Sequence, residues 1–369
     1  MKIAYVNANY RFKHTGGGHV HMGQFVANAT ALGHEVWAYP GNEYPDVHTI
    51  PITRLNHIKS MRKMDVLYVR VESRFPEIGI WSLPPHRLLY GFPVVVWEFN
   101  TVPESGLLHG RSETDVLQTI RSFKYYGRGC DLAICVTPSL ADYVQHNLGI
   151  SRILVVPNGS DPELFRPDAP LANRMAPFQG KFNVVWIGTG KEAWHDFKML
   201  GDAAQMIWET EVGKEIAFHI IGPDLTGIMA EMPPNVYYWG AEYYEKLPNW
   251  LAGMQAGLCL YGPGPADYGS PLKLFDYMAS GLALVSTTQP FIMELFAQLG
   301  QVDLLAPPGD SRCLANALVS LASDRERVHR LGQAGRQLVI SQYNWRRAVQ
   351  DTMNEIETIL CERRKVKQK

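Results

Sequence analysis

The sequence predicts an α/β protein made of two parallel-sheet domains that face each other across a cleft. Three observations carry that expectation. Apolar runs of about five residues, rich in Val and Ile, alternate with longer amphipathic stretches, the pattern of strand–helix–strand units and a parallel sheet. The alternation breaks once, at a Pro-rich segment, and then restarts. Each half opens with a strand that runs into glycines, Gly16-Gly17-Gly18 after Asn7 in the first and Gly188-Thr189-Gly190 in the second. The length of 369 residues suits two domains of roughly 100–200 residues each.

In the first half the expected strands are Ile3–Asn7, Glu35–Tyr39, Val66–Arg70, Val94–Glu98, Leu132–Val136 and Ile153–Val156. The run Pro93 to Trp97 shows no polar alternation, so that strand is expected to be buried on both faces. Helices are expected near His19–Leu32, Glu77–Tyr90, Glu113–Gly127 and Pro138–Asn147. From Asn158 to Lys181, four prolines and two glycines leave no room for a long element, and the stretch reads as an interdomain linker. In the second half, strands are expected at Phe182–Gly188, Ile216–Gly222, Val236–Gly240, Leu258–Tyr261, Ala283–Ser286 and Val302–Leu305. Helices follow at Asp196–Glu211, Leu247–Gln255, Pro271–Ser280, Phe291–Leu299 and Ser311–Ala322. The stretch Arg325 to Arg363 is expected to be helical, interrupted near Tyr343–Trp345. The domain division drawn from this is 1–165, 166–342 and a final helix over 343–369 that packs back on the first domain.

Composition narrows the function classes. Lys plus Arg is 35 and Asp plus Glu is 36, without the basic excess of a general nucleic-acid binder. Five cysteines at wide spacing, without a CxxC pair, argue against a disulfide framework or structural zinc and fit a reducing, cytoplasmic compartment. The N-terminus lacks the apolar core and cleavage site of a secretory signal, and no apolar run is long enough for a membrane span. Cys361 to Lys369 carries five basic side chains against one acid; it reads as a solvated tail or, more sharply, as a contact for an anionic membrane surface at the inner face.

Three segments carry chemistry. In the stretch Asp267 to Gly281, Ser270 followed by Pro271 suits a helix start, with serine as cap and proline at the first helical position. A helix amino end presents unpaired N–H groups and partial positive charge, a site for phosphates, and Lys273 adds a full charge. Asp276 on the same helix suits a sugar diol such as ribose. The glycines Gly16 to Gly18 allow backbone approach to a bulky polar ligand, but not in the GxGxxG spacing of dinucleotide binders. His19 and His21 follow them, read as polar contacts to substrate rather than metal ligands. The third segment, Gly188 to Asp196, offers Lys191 and His195 to a diphosphate across the cleft. Phosphate-loop, serine-hydrolase and zinc-protease signatures are absent from the sequence.

These residues together resemble the glycosyltransferase family 4 (group 1) enzymes, and the likeness runs along nearly the whole chain. Gly16-Gly17 with His21, then Leu32 to Val36, resembles the family's opening glycine loop, helix and second strand. Pro157-Asn158-Gly159-Ser160-Asp161, continuing through Phe165 to Pro167, resembles the signature at the end of its first domain. Ser270-Pro271-Leu272-Lys273, leading to Asp276 and Gly281, resembles its donor-binding helix, and Tyr343-Asn344-Trp345 its crossover. The resemblance implies the GT-B fold of two Rossmann-like domains. It also implies retaining, metal-independent hexosyl transfer, with no cofactor, from a nucleotide-sugar (UDP- or GDP-linked) to a glycan or lipid-linked glycan in polysaccharide biosynthesis. The donor-side residues implied are Gly17, Gly18, Gly188, Lys191, His195, Ser270, Pro271, Leu274 and Asp276, with His21 on the acceptor side. Glu98, Asn100 and Lys273 are the implied catalytic positions. Glu98 and Asn100 stand where the family often has a histidine, Tyr268 where it often has the first of two glutamates, and Thr189 where it often has an arginine of the diphosphate clamp. A GT-B-type nucleotide-sugar epimerase and a catalytically weak sugar-nucleotide-binding protein are the rival readings.

Overall fold

A computed structural model describes residues 1–7, 17–39, 48–49, 62–71, 93–189, 194–223, 225–229, 231–262 and 268–367. The first domain is built on a parallel sheet of order β3-β2-β1-β4-β5-β6-β7. Its strands are β1 (Lys2–Asn7), β2 (Glu35–Tyr39), β3 (His48–Thr49), β4 (Val66–Val71), β5 (Val94–Phe99), β6 (Leu132–Cys135) and β7 (Ile153–Val155). Every residue of β4 and β5 is buried, as expected for central strands covered on both faces. On one face lie Phe25, Val26 and Ala29 of α1 (Gly17–Ala31); on the other, Phe123 of α2 (Glu113–Tyr126) and Leu140 of α3 (Pro138–Tyr143). The expected helix Glu77–Tyr90 lies outside the described residues.

The second domain holds a parallel sheet of order β10-β9-β8-β11-β12-β13. Its strands are β8 (Phe182–Ile187), β9 (Ile216–Ile221), β10 (Val236–Tyr238), β11 (Ala256–Cys259), β12 (Ala283–Thr287) and β13 (Leu305–Ala306). The helices in this half are α4 (Phe197–Trp208), α5 (Thr226–Met229), α6 (Leu247–Leu251), α7 (Leu272–Ala279), α8 (Pro290–Leu299), α9 (Ser311–Ser323) and α10 (Arg325–Ser341). A last helix, α11, covers Trp345–Lys367. In both sheets the order reverses direction beside the first strand of the domain, which opens a crevice at the strands' carboxyl ends where ligands of such sheets bind.

Two expectations are corrected. The strand expected over Val302–Leu305 is a 3₁₀ turn over Val302–Leu304 followed by a two-residue strand. The exposed Asp303 faces Arg327 at 2.6 Å, so this stretch does not extend the apolar edge. The Pro-rich stretch Asn158 to Lys181 is more than a linker: Phe165 and Met175 are fully buried in the second domain's core.

The chain's return to the first domain is fixed by backbone hydrogen bonds. The Ser160 N–H donates to the Tyr343 carbonyl at 3.0 Å and the Trp345 N–H to the Ser160 carbonyl at 3.2 Å. Helix α11 then buries Val349, Met353, Ile356 and Ile359 against the first sheet and α1. The crossing leaves no room beside Gly159, where a Cβ would stand 2.8 Å from the Tyr343 carbonyl oxygen. Gly159→Ala is therefore expected to cost about 1–3 kcal/mol of stability by overpacking against backbone. Urea unfolding measures it, and an unchanged midpoint would contradict the tight crossing.

Candidate active site

Helix α7 begins at the domain boundary, but not with the cap expected. Pro271 occupies the cap position and no side chain caps the helix. Ser270 is engaged elsewhere: its Oγ accepts a hydrogen bond from the Asn158 N–H at 3.2 Å, and its carbonyl accepts one from Asn158 Nδ2 at 2.6 Å. The first amides of α7 are thus left without a side-chain partner, beside a segment of the first domain. Nearby, Thr137 Oγ1 of the first domain donates to the Tyr268 carbonyl at 3.0 Å.

Lys273 projects from the first turn of α7. Its Nζ is buried, lacks a hydrogen-bond partner, and lies 4.2 Å from the centre of the Trp186 ring. It also lies 3.1 Å from where a Cβ on Gly188 would stand, so it reaches the carboxyl end of β8. Burial pulls its pKa down to about 8, which leaves a charged, unpaired ammonium at neutral pH. His195 packs against Trp186 and Tyr261, with ring centroids 5.0 and 5.6 Å away. Burial first, and the charge on Lys273 second, lower its pKa to about 2. His195, which the sequence offers to a diphosphate, is thus a neutral imidazole beside the Lys273 charge. Lys191 lies outside the described residues.

Asp276 is 6% exposed and its Oδ1 accepts from Ser160 Oγ at 2.6 Å and from the Tyr244 hydroxyl at 3.2 Å. Burial raises its pKa to about 7 against the opposing effect of those two hydrogen bonds. Leu274 is placed differently from the donor contact expected of it: the side chain is fully buried in the domain core, because it lies on the face of α7 turned to the sheet.

On the first-domain side the structure gathers His21, Glu98 and Asn100 around a residue that the sequence reading missed, Arg70. Arg70 and Glu98 are register partners on β4 and β5. Glu98 is 1% exposed and accepts from Tyr68 at 2.6 Å, Arg70 at 3.1 Å and Asn100 at 2.7 Å, with His21 Nε2 at 3.4 Å. Burial alone would raise its pKa, but the imidazole and guanidinium beside it and the donors from Tyr68 and Asn100 hold it below the usual carboxylate range. The catalytic positions that the resemblance implies are placed in this cluster: Glu98 is its buried hub, and Asn100 donates its amide to it. His21 is equally enclosed, with its ring edge 4.9 Å from Trp345 at the start of α11, and burial lowers its pKa to about 4. Arg70 was legible in principle, because a charge inside Val66–Val71, a strand buried throughout, needs an opposite charge on a neighbouring strand. Gly18, in the first turn of α1, lies beside Arg70; a Cβ there would stand 3.9 Å from Nη2, an ordinary van der Waals contact. Gly17 begins α1, and Gly16 lies outside the described residues.

Between the domains a cleft of about 340 Å³ is lined by His19, Val20, Gly23 and Gln24 of α1 and by Tyr243, Tyr244 and Glu245 of the second domain. Tyr244 lines this cleft and donates to Asp276, which links α7 to the opening. Among the described residues, no group of three His, Cys, Asp or Glu side chains is arranged to hold a metal ion, and no helix is long and apolar enough to cross a membrane.

Residues 181–324 match the family described as Glycosyl transferases group 1. TuaH of Bacillus subtilis (strain 168), described as a teichuronic acid biosynthesis glycosyltransferase, is 30% identical over 154 residues. That match takes in 38% of this chain and 36% of TuaH, so the chain spans about a third of the curated relative's length. Among solved structures, Anabaena Alr3699/HepE in complex with UDP-glucose superposes with a TM-score of 0.72 at 14% identity, over 97% of this chain and 100% of that one. Sucrose-phosphate synthase from Thermosynechococcus elongatus gives 0.69 at 15% identity, over 98% and 100%. WaaG, a glycosyltransferase involved in lipopolysaccharide biosynthesis, gives 0.68 at 11%, over 96% and 99%. The fold is GT-B, and the family match falls within its second domain.

Two outcomes follow from the buried charges. Glu98→Ala leaves the Arg70 guanidinium buried without its carboxylate and is expected to cost about 3–5 kcal/mol in denaturant unfolding; a loss below 1 kcal/mol, on the order of a surface pair, would mean that the cluster is open to water. For Asp276 the folded pKa of about 7 lies above the unfolded value of about 3.9. Folding takes up a proton between those values, so stability falls as pH rises across that window. Asp276→Asn should therefore melt higher than the wild type above pH 7, with the gain gone near pH 4. A lower melting temperature for the variant at pH 8 would refute this.

Proposed function

We propose that the chain is a retaining glycosyltransferase that moves a hexosyl group from a UDP- or GDP-linked sugar to a glycan or lipid-linked glycan without a metal ion. The observation that carries the reading is the buried, unpaired Lys273 ammonium beside the uncapped start of α7, at the carboxyl end of β8. A cation held out of water without a partner is costly unless an anion completes it, and a diphosphate supplies one. The match to group 1 glycosyltransferases and the UDP-glucose in HepE support a nucleotide-sugar as donor. TuaH and WaaG supply the argument for an acceptor in surface-polysaccharide assembly. The exposed basic residues Arg364 and Lys365 near the end of α11 suit an anionic membrane surface, where a lipid-linked acceptor would be met from the cytoplasmic side.

Cleavage of the sugar–diphosphate bond develops negative charge on the leaving phosphate and positive character on the sugar ring. Lys273 and the amide end of α7, both fixed before the reaction, meet the growing negative charge without reorganising. His195, neutral, adds a hydrogen bond rather than a charge. Asp276, held by Ser160 and Tyr244, offers its remaining oxygen to a ribose hydroxyl. The Glu98 cluster fixes Arg70 beside Gly18 and sets the shape of the opposing wall. Enclosure between the domains excludes the water that would otherwise take the sugar.

Lys273→Ala is expected to lower turnover on the order of 100-fold, the scale of removing one oxyanion-type donor. The assay uses UDP- and GDP-sugars with a panel of glycan acceptors, with and without a chelator. Full activity in the variant, or activity abolished by the chelator, would sink the corresponding half of this reading.

A further inference from the structure

We propose that Trp186 is the positioning residue for Lys273: its indole face holds the ammonium over Gly188 and so fixes where the leaving diphosphate binds. The inference rests on the role given to Lys273 above and adds a residue outside the phosphate-contacting set. Trp186 ends the buried part of β8 and is 1% exposed, with its ring held edge-on by Phe197 and His195 at centroid distances of 4.7 and 5.0 Å. That packing gives the ring one orientation. Its face carries Lys273 Nζ at 4.2 Å, well inside the range of a cation–π contact. Gly188 completes the arrangement. A Cβ there would stand 2.7 Å from the Trp186 ring and 3.1 Å from Nζ, so any side chain would evict one or the other.

The other groups around the ammonium do not hold it. His195 is neutral, the Cys259 thiol from β11 is pushed up to about 11 by burial and is protonated, and the Tyr261 ring is farther, at 6.0 Å. No carboxylate among the described residues pairs with Lys273. A lysine on its flexible stem is otherwise free to sample several positions. The indole face replaces that freedom with one location while leaving the ammonium's N–H groups on the far side for an anion.

The test has two arms on the full chain. Without ligand, the titration of Lys273, which lies near 8 in the wild type, is followed by NMR of labelled lysine side chains in the wild type and in Trp186→Phe. Phe keeps an apolar ring but attracts a cation less than Trp does, so the midpoint is expected to fall; an unchanged or raised midpoint overturns the proposal. With ligand, calorimetric affinity for UDP and GDP is measured in a double-mutant cycle of Trp186→Leu and Lys273→Met. Trp186→Leu is expected to weaken nucleotide binding about tenfold when Lys273 is present and to leave it unchanged in the Lys273→Met background. Equal losses in both backgrounds overturn the proposal and make Trp186 a packing residue only. A wild type that binds neither UDP nor GDP defeats the functional reading of the previous section, and the lysine titration then still decides the role of Trp186.

Discussion

The three residues Asn158, Gly159 and Ser160 hold this molecule's parts in register. Asn158 binds the start of α7 through its backbone N–H and its side-chain amide, and Ser160 binds Asp276 one turn further along. The backbone of Ser160 pairs with Tyr343 and Trp345 on the other side, where the chain crosses back to the first domain. One short segment therefore fixes α7, the exit of the first domain and the entry of α11. Its glycine is required because the crossing brings two backbones into contact. The bond from Asn158 to Ser270 also explains why α7 has no side-chain cap: the hydroxyl that would have closed the helix is used between domains.

The two domains treat charge differently. On the first-domain side Arg70, Glu98, Tyr68, Asn100 and His21 close on one another in a buried cluster. Such a network makes a rigid wall, since removing one member exposes the rest to a medium that solvates charge poorly. On the second-domain side Lys273 has no countercharge among the described residues, and Asp276 is pushed toward neutrality. The first-domain cluster pairs its charges internally, whereas Lys273 has no carboxylate partner among the described residues.

Much of this was legible in the sequence, for a reason common to the parts that were. Strand and helix order follows from the spacing of apolar residues, and spacing is local. Val94 to Phe99, without a polar position until Glu98, announces a central strand, and the restart after Lys181 announces the second sheet. The likeness to group 1 glycosyltransferases rests on the same kind of local evidence, ordered segments whose spacing survives in the chain.

What only the tertiary structure decided is which polar groups spend their hydrogen bonds on each other. Ser270 reads as a helix cap until Asn158, more than a hundred residues earlier, takes its oxygen. Glu98 gains its partners only when Arg70 and Tyr68 arrive from the neighbouring strand, and burial keeps the His195 imidazole neutral beside Lys273. Residue type and spacing determine what a side chain is able to do and which element carries it. Its partner and its protonation state depend on the distance to groups remote in the chain and on the water excluded around them, and neither quantity exists before the chain has folded.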